Sequence, residues 1–343
     1  MGVLVRAGSG PHSLRVLRTG SDVSTTRVSE YDRFGPWIDE VLDLEDVPRL
    51  FRDHAIDFDA ARMVLKVPRE IARRDATPGM DLYDYLLVLD ATGLTVLKRF
   101  GAGLQGWATV TGPRGYDVMT VPYERVVGTR EVVNLLDGRL TIHTSAGSAV
   151  SVRFNGAARE NVTRLVDQLR AATTVDPVSA VGRALIAAAE ATGGGTIRLE
   201  RGATDQVFVS EFARLLRSSP DVVAWACHGR STLAPSTRGV RGVLQRSMHS
   251  VWPMTLHSGV LASDGRALEV LSRDQGLVRG RTPVYSTSRL VVPFSSLEGI
   301  AVAVHALYPE ATVATLTAGQ AAITFVIPTG SVAARILSDA QLR

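Results

Sequence analysis

The feature that most constrains this chain is that it repeats itself. Val121-Pro122-Tyr123-Glu124-Arg125-Val126-Val127-Gly128 returns 171 residues later as Val292-Pro293-Phe294-Ser295-Ser296-Leu297-Glu298-Gly299, an apolar-Pro-aromatic start and a Gly end. Three shorter matches run in the same order: Arg49-Leu50-Phe51-Arg52 with Arg214-Leu215-Leu216-Arg217, Leu97-Lys98-Arg99 with Leu271-Ser272-Arg273, and Ala146-Gly147 with Ala318-Gly319. Their offsets drift between 165 and 174, as loop insertions would cause. A duplication sets domain boundaries before any secondary structure is assigned, and 343 residues suffice for two domains with separate cores.

Each copy reads as helix, several strands, helix. In the first, 46–54 is a short helix, and 63–67, 85–89 and 94–99 are strands, the last two divided by the turn Asp90-Ala91-Thr92-Gly93. Strands 116–123 and 126–136 come next, with Asp137-Gly138 predicting a tight hairpin into 140–144 and then 150–154. Leu140/Ile142 and Val150/Val152/Phe154 alternate with polar residues, the period of strands with one buried face. Asn155 suits an N-cap for a helix whose Val162, Leu165, Val166 and Leu169 form one stripe. In the second copy Ile323, Phe325 and Ile327 alternate likewise, and Thr329 precedes a helix with Val332, Ile336, Leu337 and Ala340 on one side. Between the copies, Asp176-Pro177 predicts the start of a helix over 178–191, ended by Gly193-Gly194-Gly195. A further helix over 205–217 opens copy two.

Composition narrows the class. With 45% hydrophobic and 21% charged residues the chain carries too much apolar material for disorder, and no long uncharged apolar run reads as a membrane span. Arg, Gly and Pro interrupt the N-terminal apolar stretches, unlike a secretory signal. One cysteine, Cys227, excludes an intrachain disulfide and a multi-cysteine metal site. The expected compartment is therefore cytoplasmic. Net charge is only +4, weak against the phosphate dependence of nucleic-acid binding. From Arg214 to Arg289, however, eleven arginines face four acidic residues.

The stretch VPYERVVGTREVVNLLDGRLTIHTSAGSAVSVRFNGAARENVTRLVDQLRAA resembles the second half of bacterial pleckstrin-homology-like (PH-like) domains: an apolar-Pro-aromatic strand, a Leu-rich hairpin, a Gly turn and a closing helix. The resemblance implies a mainly β, α+β protein of two split barrels. Each has about seven strands closed by a C-terminal amphipathic helix, and a helical connector joins them. The expected division is an N-terminal segment 1–45, domain 1 at 46–173, a connector at 174–206 and domain 2 at 207–343. Such folds are platforms for varied ligands. Family members are thought of as adaptors or assembly domains, and eukaryotic relatives bind phosphoinositides through a basic first inter-strand loop. No catalytic residue, cofactor or metal carries over.

Several motifs admit simpler roles than the chemistry they suggest. Gly101-Ala102-Gly103-Leu104-Gln105-Gly106 matches a dinucleotide fingerprint, but the next nine residues are rich in β-branched side chains and broken by Gly112, Pro113 and Gly115, so the helix that must present its amides is absent from the pattern. The seven histidines show no metal-ligand spacing. Cys227 and His228 are strand neighbours that point to opposite faces and cannot activate one another. The segment Tyr31 to Ile38 is expected to pack on the first domain, with an exposed docking arm as the alternative.

The resulting expectation is a non-catalytic scaffold that binds another protein, with a homo-oligomer compatible. The alternative is a peripheral binder of anionic lipid, polyphosphate or nucleic acid. The loop of copy two, from Cys227 to Pro253, carries Arg230, Arg238, Arg241 and Arg246 with no acidic residue, whereas its counterpart at Pro68 to Leu82 balances Arg69, Arg73 and Arg74 with Glu70, Asp75 and Asp81. Arginine forks and adjacent glycines suit phosphate oxygens, so those four arginines are the candidate anion contacts.

Overall fold

A computed structural model describes residues 29–102, 115–193, 205–236, 253–280 and 285–341. The protein is mainly β, and every strand pairing among the described residues is antiparallel. After a short helix α1 (Glu30–Arg33), the first sheet runs in the order β1 (Asp39–Glu40), β2 (Met63–Pro68), β3 (Tyr83–Leu89), β4 (Gly93–Arg99), β5 (Tyr116–Pro122). The chain then turns into β6 (Val126–Asn134), β7 (Asp137–Thr144) and β8 (Ala149–Asn155), followed by α2 (Arg159–Thr173). Helices α3 (Ala180–Ala191) and α4 (Gln206–Ser218) come next.

The second half repeats the order. Strands β9 (Val223–His228), β12 (Gly259–Ser263), β13 (Ala267–Ser272) and β15 (Thr287–Pro293) are neighbours. A meander of β16 (Gly299–Val304), β17 (Ala311–Ala318) and β18 (Ala321–Pro328) succeeds them, and α5 (Val332–Gln341) ends the fold. Inserted strands β10 (Ser231–Leu233), β11 (Met254–Leu256) and β14 (Leu277–Arg279) form a small sheet without a counterpart among the described residues of the first half.

The repeated motif is the corner between the two sheets of each half. Pro122 and Pro293 end a strand with φ near −60°, because proline cannot donate to the ladder, and a 3-10 turn begins at the aromatic residue. Phe294 is fully buried there. At the motif's end a Cβ on Gly128 would lie 2.7 Å from Ile323, and one on Gly299 would lie 2.5 Å from Thr317 Oγ1. The matched glycine turns meet in space: Gln320 N–H donates to the Ser145 carbonyl at 2.8 Å.

No sheet closes on itself into a barrel among the described residues, and the halves are not separate sheet systems. The halves instead share one seven-stranded sheet, β8-β7-β6-β15-β13-β12-β9, in which β6 pairs with β15 from Val133↔Thr287 to Thr129↔Val291. The two cores lie on its opposite faces. Val291 joins Leu140, Ile142, Phe154 and the stripe Val162/Leu165/Val166/Leu169 of α2 over the first sheet. Its neighbours Leu290 and Val292 join Ile323, Phe325, Ile327 and α5. The connector helix α3 lies in this second core through Leu185, Ala188 and Ala189, and α4 covers the other face through Phe208 and Leu215.

Where the α2 side of the sheet passes from β6 to β13, its side chains are charged. Arg289 holds Glu269 bidentately at 2.9 and 3.1 Å and Asp167 at 2.6 Å. Arg170 reaches Asp264 at 2.5 Å and Glu269 at 2.9 Å. Arg159 pairs with Glu211 at 2.9 Å, and Thr163 donates to Glu131 at 3.0 Å. Burial pushes the Glu131 carboxyl up, against the pull of Arg159 and Thr163. This network ties α2 of the first half to β13, β15 and α4 of the second.

Several local readings also change. The β6–β7 loop is Leu135-Leu136, because Asn134 already pairs with Asp137. Gly138 lies inside β7, where the Phe154 ring would sit 2.4 Å from a Cβ. Leu135 adopts φ 55°, a left-handed value unusual for leucine. The 46–54 helix is only the 3-10 turn Arg49–Phe51, since Pro48 is extended. Helix α3 starts after Ser179, not Asp176: Ser179 Oγ accepts from Gly182 N at 3.0 Å and donates to the Leu297 carbonyl at 2.6 Å. The Tyr31 to Ile38 segment packs on the first sheet through Phe34 and Ile38, and the adjoining β1 adds an edge strand to β2. Among the described residues no helix is long and apolar enough to cross a membrane.

Candidate functional site

One cavity of about 240 Å³ opens in the second half, between the shared sheet and β17–β18. Strand register sorts its lining into rows. Ala226, Leu261, Val270, Leu290 and Arg130 are consecutive cross-strand partners from β9 to β6. All of them except Leu290 line the cavity. One step along the strands, on the same face, lie His228, Gly259 and Ser272. An apolar row thus borders a polar one. Phe325 and Ile327 supply further apolar wall from β18.

Arg130 is the unexpected member, because it belongs to the first half and arrives only through the β6–β15 pairing. Its Nη2 donates to the Thr324 carbonyl at 2.9 Å, while its buried Nε has no partner. Among the described residues no carboxylate is in ion-pair range of it: the nearby Asp274 is held by Arg139 at 3.0 Å. Burial lowers the Arg130 pKa, partly offset by Asp274.

Arg273, also on the wall, is buried and satisfied on two sides. Its Nη2 pairs with Asp205 at 2.6 Å and its Nη1 donates to the Ser286 carbonyl at 2.8 Å. Its Nε is without a partner, and the guanidinium lies over the Phe208 ring. Burial raises the Asp205 carboxyl, but hydrogen bonds from Arg273 and Val207 outweigh it and hold the group below its ordinary value. His228 and His257 converge on the cavity although the sequence separates them by 29 positions. Burial lowers both, reinforced at His257 by Arg230 and Arg273, so both rings are neutral near pH 7.

Arg230 is therefore beside the cavity, exposed and close enough to act on His257. Arg238, Arg241 and Arg246 lie outside the described residues. So do residues 103–106 of the glycine-rich stretch, which falls between the antiparallel neighbours β4 and β5 in the chain. Cys227 faces the cluster under α4, away from His228. Ser258 Oγ donates to Asp205 at 3.4 Å, not to a histidine. Among the described residues no group of His, Cys, Asp and Glu is arranged to hold a metal ion.

Sequence reasoning missed Arg130, Arg273 and His257. Arg130 alone carried a local signal, a charge inside an otherwise apolar strand, and that signal is shared by Glu131 and Arg289 of the buried network; Arg273 and His257 fall just past the ends of β13 and β11. No family model, curated protein or solved structure matches the chain.

Proposed function

We propose that this chain is a non-catalytic binding protein, a rigid scaffold of two PH-like repeats whose ligand site is the cavity of the second. The ligand class is a small organic acid with an apolar body. Its body lies along Ala226, Leu261 and Val270 and its carboxylate meets Arg130. The observation that carries this reading is the Arg130 guanidinium, set in the cavity wall with a buried, unpartnered Nε and, among the described residues, no carboxylate in ion-pair range. A desolvated charge without a partner is costly, and a carboxylate supplies a charge-assisted hydrogen bond.

Calorimetric titration with butanoate, hexanoate and octanoate at low salt tests the reading. Affinity should rise by about 0.8 kcal/mol for each added methylene until the cavity is filled. Octanol, which lacks the charge, should bind at least tenfold more weakly, as should octanoate to a folded Arg130→Met variant, since a hydrogen bond to a charged group contributes about 1.5–3 kcal/mol. No heat of binding with any of the three acids would refute it.

A second reading, binding of anionic lipid, polyphosphate or nucleic acid through Arg230, Arg238, Arg241 and Arg246, is favoured by the exposure of Arg230 beside the same cavity.

A further inference from the structure

The internal junction between the repeats leaves two of its own equivalents open. In the repeat alignment β16 stands where β6 stands, and β5 stands where β15 stands. The strands β6 and β15 pair with each other. Among the described residues β16 pairs only with β17, and β5 only with β4. Each therefore presents a sheet edge of the kind that is filled inside the chain.

We infer that β16 of one copy pairs with β5 of a second copy of this chain, repeating between molecules the junction that β6 and β15 make within one. Carrying the internal register across by the 171-residue offset places Ile300 opposite Thr120 and Val302 opposite Val118. The inference rests on the scaffold reading of two equivalent repeats and is independent of what the cavity binds.

The side chains suit that contact. Inside the chain the matching positions are Glu131 and Arg289, members of the buried charged network. Between copies they are Val302 and Val118, two β-branched residues that favour cross-strand pairing. Val118 is 45% exposed and Val304, at the end of β16, 58% exposed. The strand Gly299-Ile300-Ala301-Val302-Ala303-Val304 carries no charge and no proline, the devices that normally keep sheet edges apart. The helix above changes in step: Asp167 and Arg170 of α2 correspond to Ser338 and Gln341 of α5. Gln341 Oε1 accepts from the Val302 N–H at 3.1 Å, a bond within the chain that the incoming strand has to displace.

Such a contact joins two different surfaces, so it propagates head to tail, closing into a ring or growing a filament. The test is sedimentation of the full chain over a range of concentrations, with Val302→Lys and Val118→Lys as single variants checked for folding by circular dichroism. The parent should assemble with rising concentration, and each variant should stay monomeric. A mixture of the two variants retains one intact β16 and one intact β5, so it should yield a one-to-one dimer and nothing larger. A parent that is monomeric up to its solubility limit, assembly that survives both substitutions, or a mixture that stays monomeric would each overturn the inference. Neither position lines the cavity, so both variants should bind octanoate as the parent does. Loss of assembly with retained octanoate binding thus separates this inference from the ligand reading.

Discussion

Replacing Arg289 with methionine probes the junction on which the whole architecture depends. Arg289 is 8% exposed, Glu269 beneath it is 0% exposed, and the two share a bidentate pair at 2.9 and 3.1 Å. The variant leaves Glu269 buried with only Arg170, and Asp167 with a lost contact at 2.6 Å. Removing one partner from a buried pair typically costs about 3–5 kcal/mol. The remaining Arg170 contact to Glu269 places the expectation at the lower end, about 3 kcal/mol. Replacing both partners with apolar residues of similar size is often neutral, so Arg289→Met with Glu269→Leu should recover to within about 1 kcal/mol of the parent. Urea unfolding followed by far-ultraviolet circular dichroism and by tryptophan fluorescence measures both, with coincident transitions as the check on two-state behaviour. The single variant's deficit should persist at high salt, because buried pairs are screened little. A single substitution that costs under about 1 kcal/mol, or a double variant as unstable as the sum of its parts, would refute a desolvated network at the junction.

Three further outcomes are expected from the same structure. His143 has a buried Nε2 without a partner, and burial together with Arg130 pushes its pKa down to about 4. The unfolded chain binds that proton from pH 6.5 downward, so about 3 kcal/mol of stability is lost between pH 6.5 and 4, and His143→Leu should flatten the dependence of melting temperature on pH across that window. Leu135→Gly should stabilise by up to about 1 kcal/mol, read as a higher urea midpoint, since a left-handed leucine at the first position of a two-residue hairpin loop is strained. Replacing Arg238, Arg241 and Arg246 together with Gln should leave octanoate affinity unchanged; a fall in octanoate affinity, or loss of binding to anionic vesicles at low salt, would favour the basic-loop reading.

Much of each repeat is legible in the sequence because its signals are local. Alternation in Leu140/Ile142, Val150/Val152/Phe154 and Ile323/Phe325/Ile327 matches the buried face of β7, β8 and β18, and the Pro-aromatic motif falls at the sheet corner in both halves. Glycine misled at Asp137-Gly138, where a turn residue serves as space for the Phe154 ring. The pairing of β6 with β15 left no local trace, since it joins strands about 160 residues apart and neither strand is amphipathic in the usual sense. Of the charges that mark it, Arg289 is only one member of the arginine-rich stretch in the sequence, and Glu131 carries no pattern that points to a partner. The cavity shares this origin: the local arginine excess points to Arg230, but which arginines lack a carboxylate depends on where Asp205 and Asp274 come to lie.

The most direct test of the cavity reading is to watch the arginine Nε–H signals of uniformly ¹⁵N-labelled protein by nuclear magnetic resonance during an octanoate titration, with Arg130→Met identifying the Arg130 signal. The Arg130 Nε–H, unpartnered among the described residues, should move downfield and saturate with the calorimetric affinity; the Arg273 Nε–H is unpartnered too, but its guanidinium charge is already met at Nη2 by Asp205, so it should move less. A saturating titration in which the Arg130 signal stays still would contradict the account.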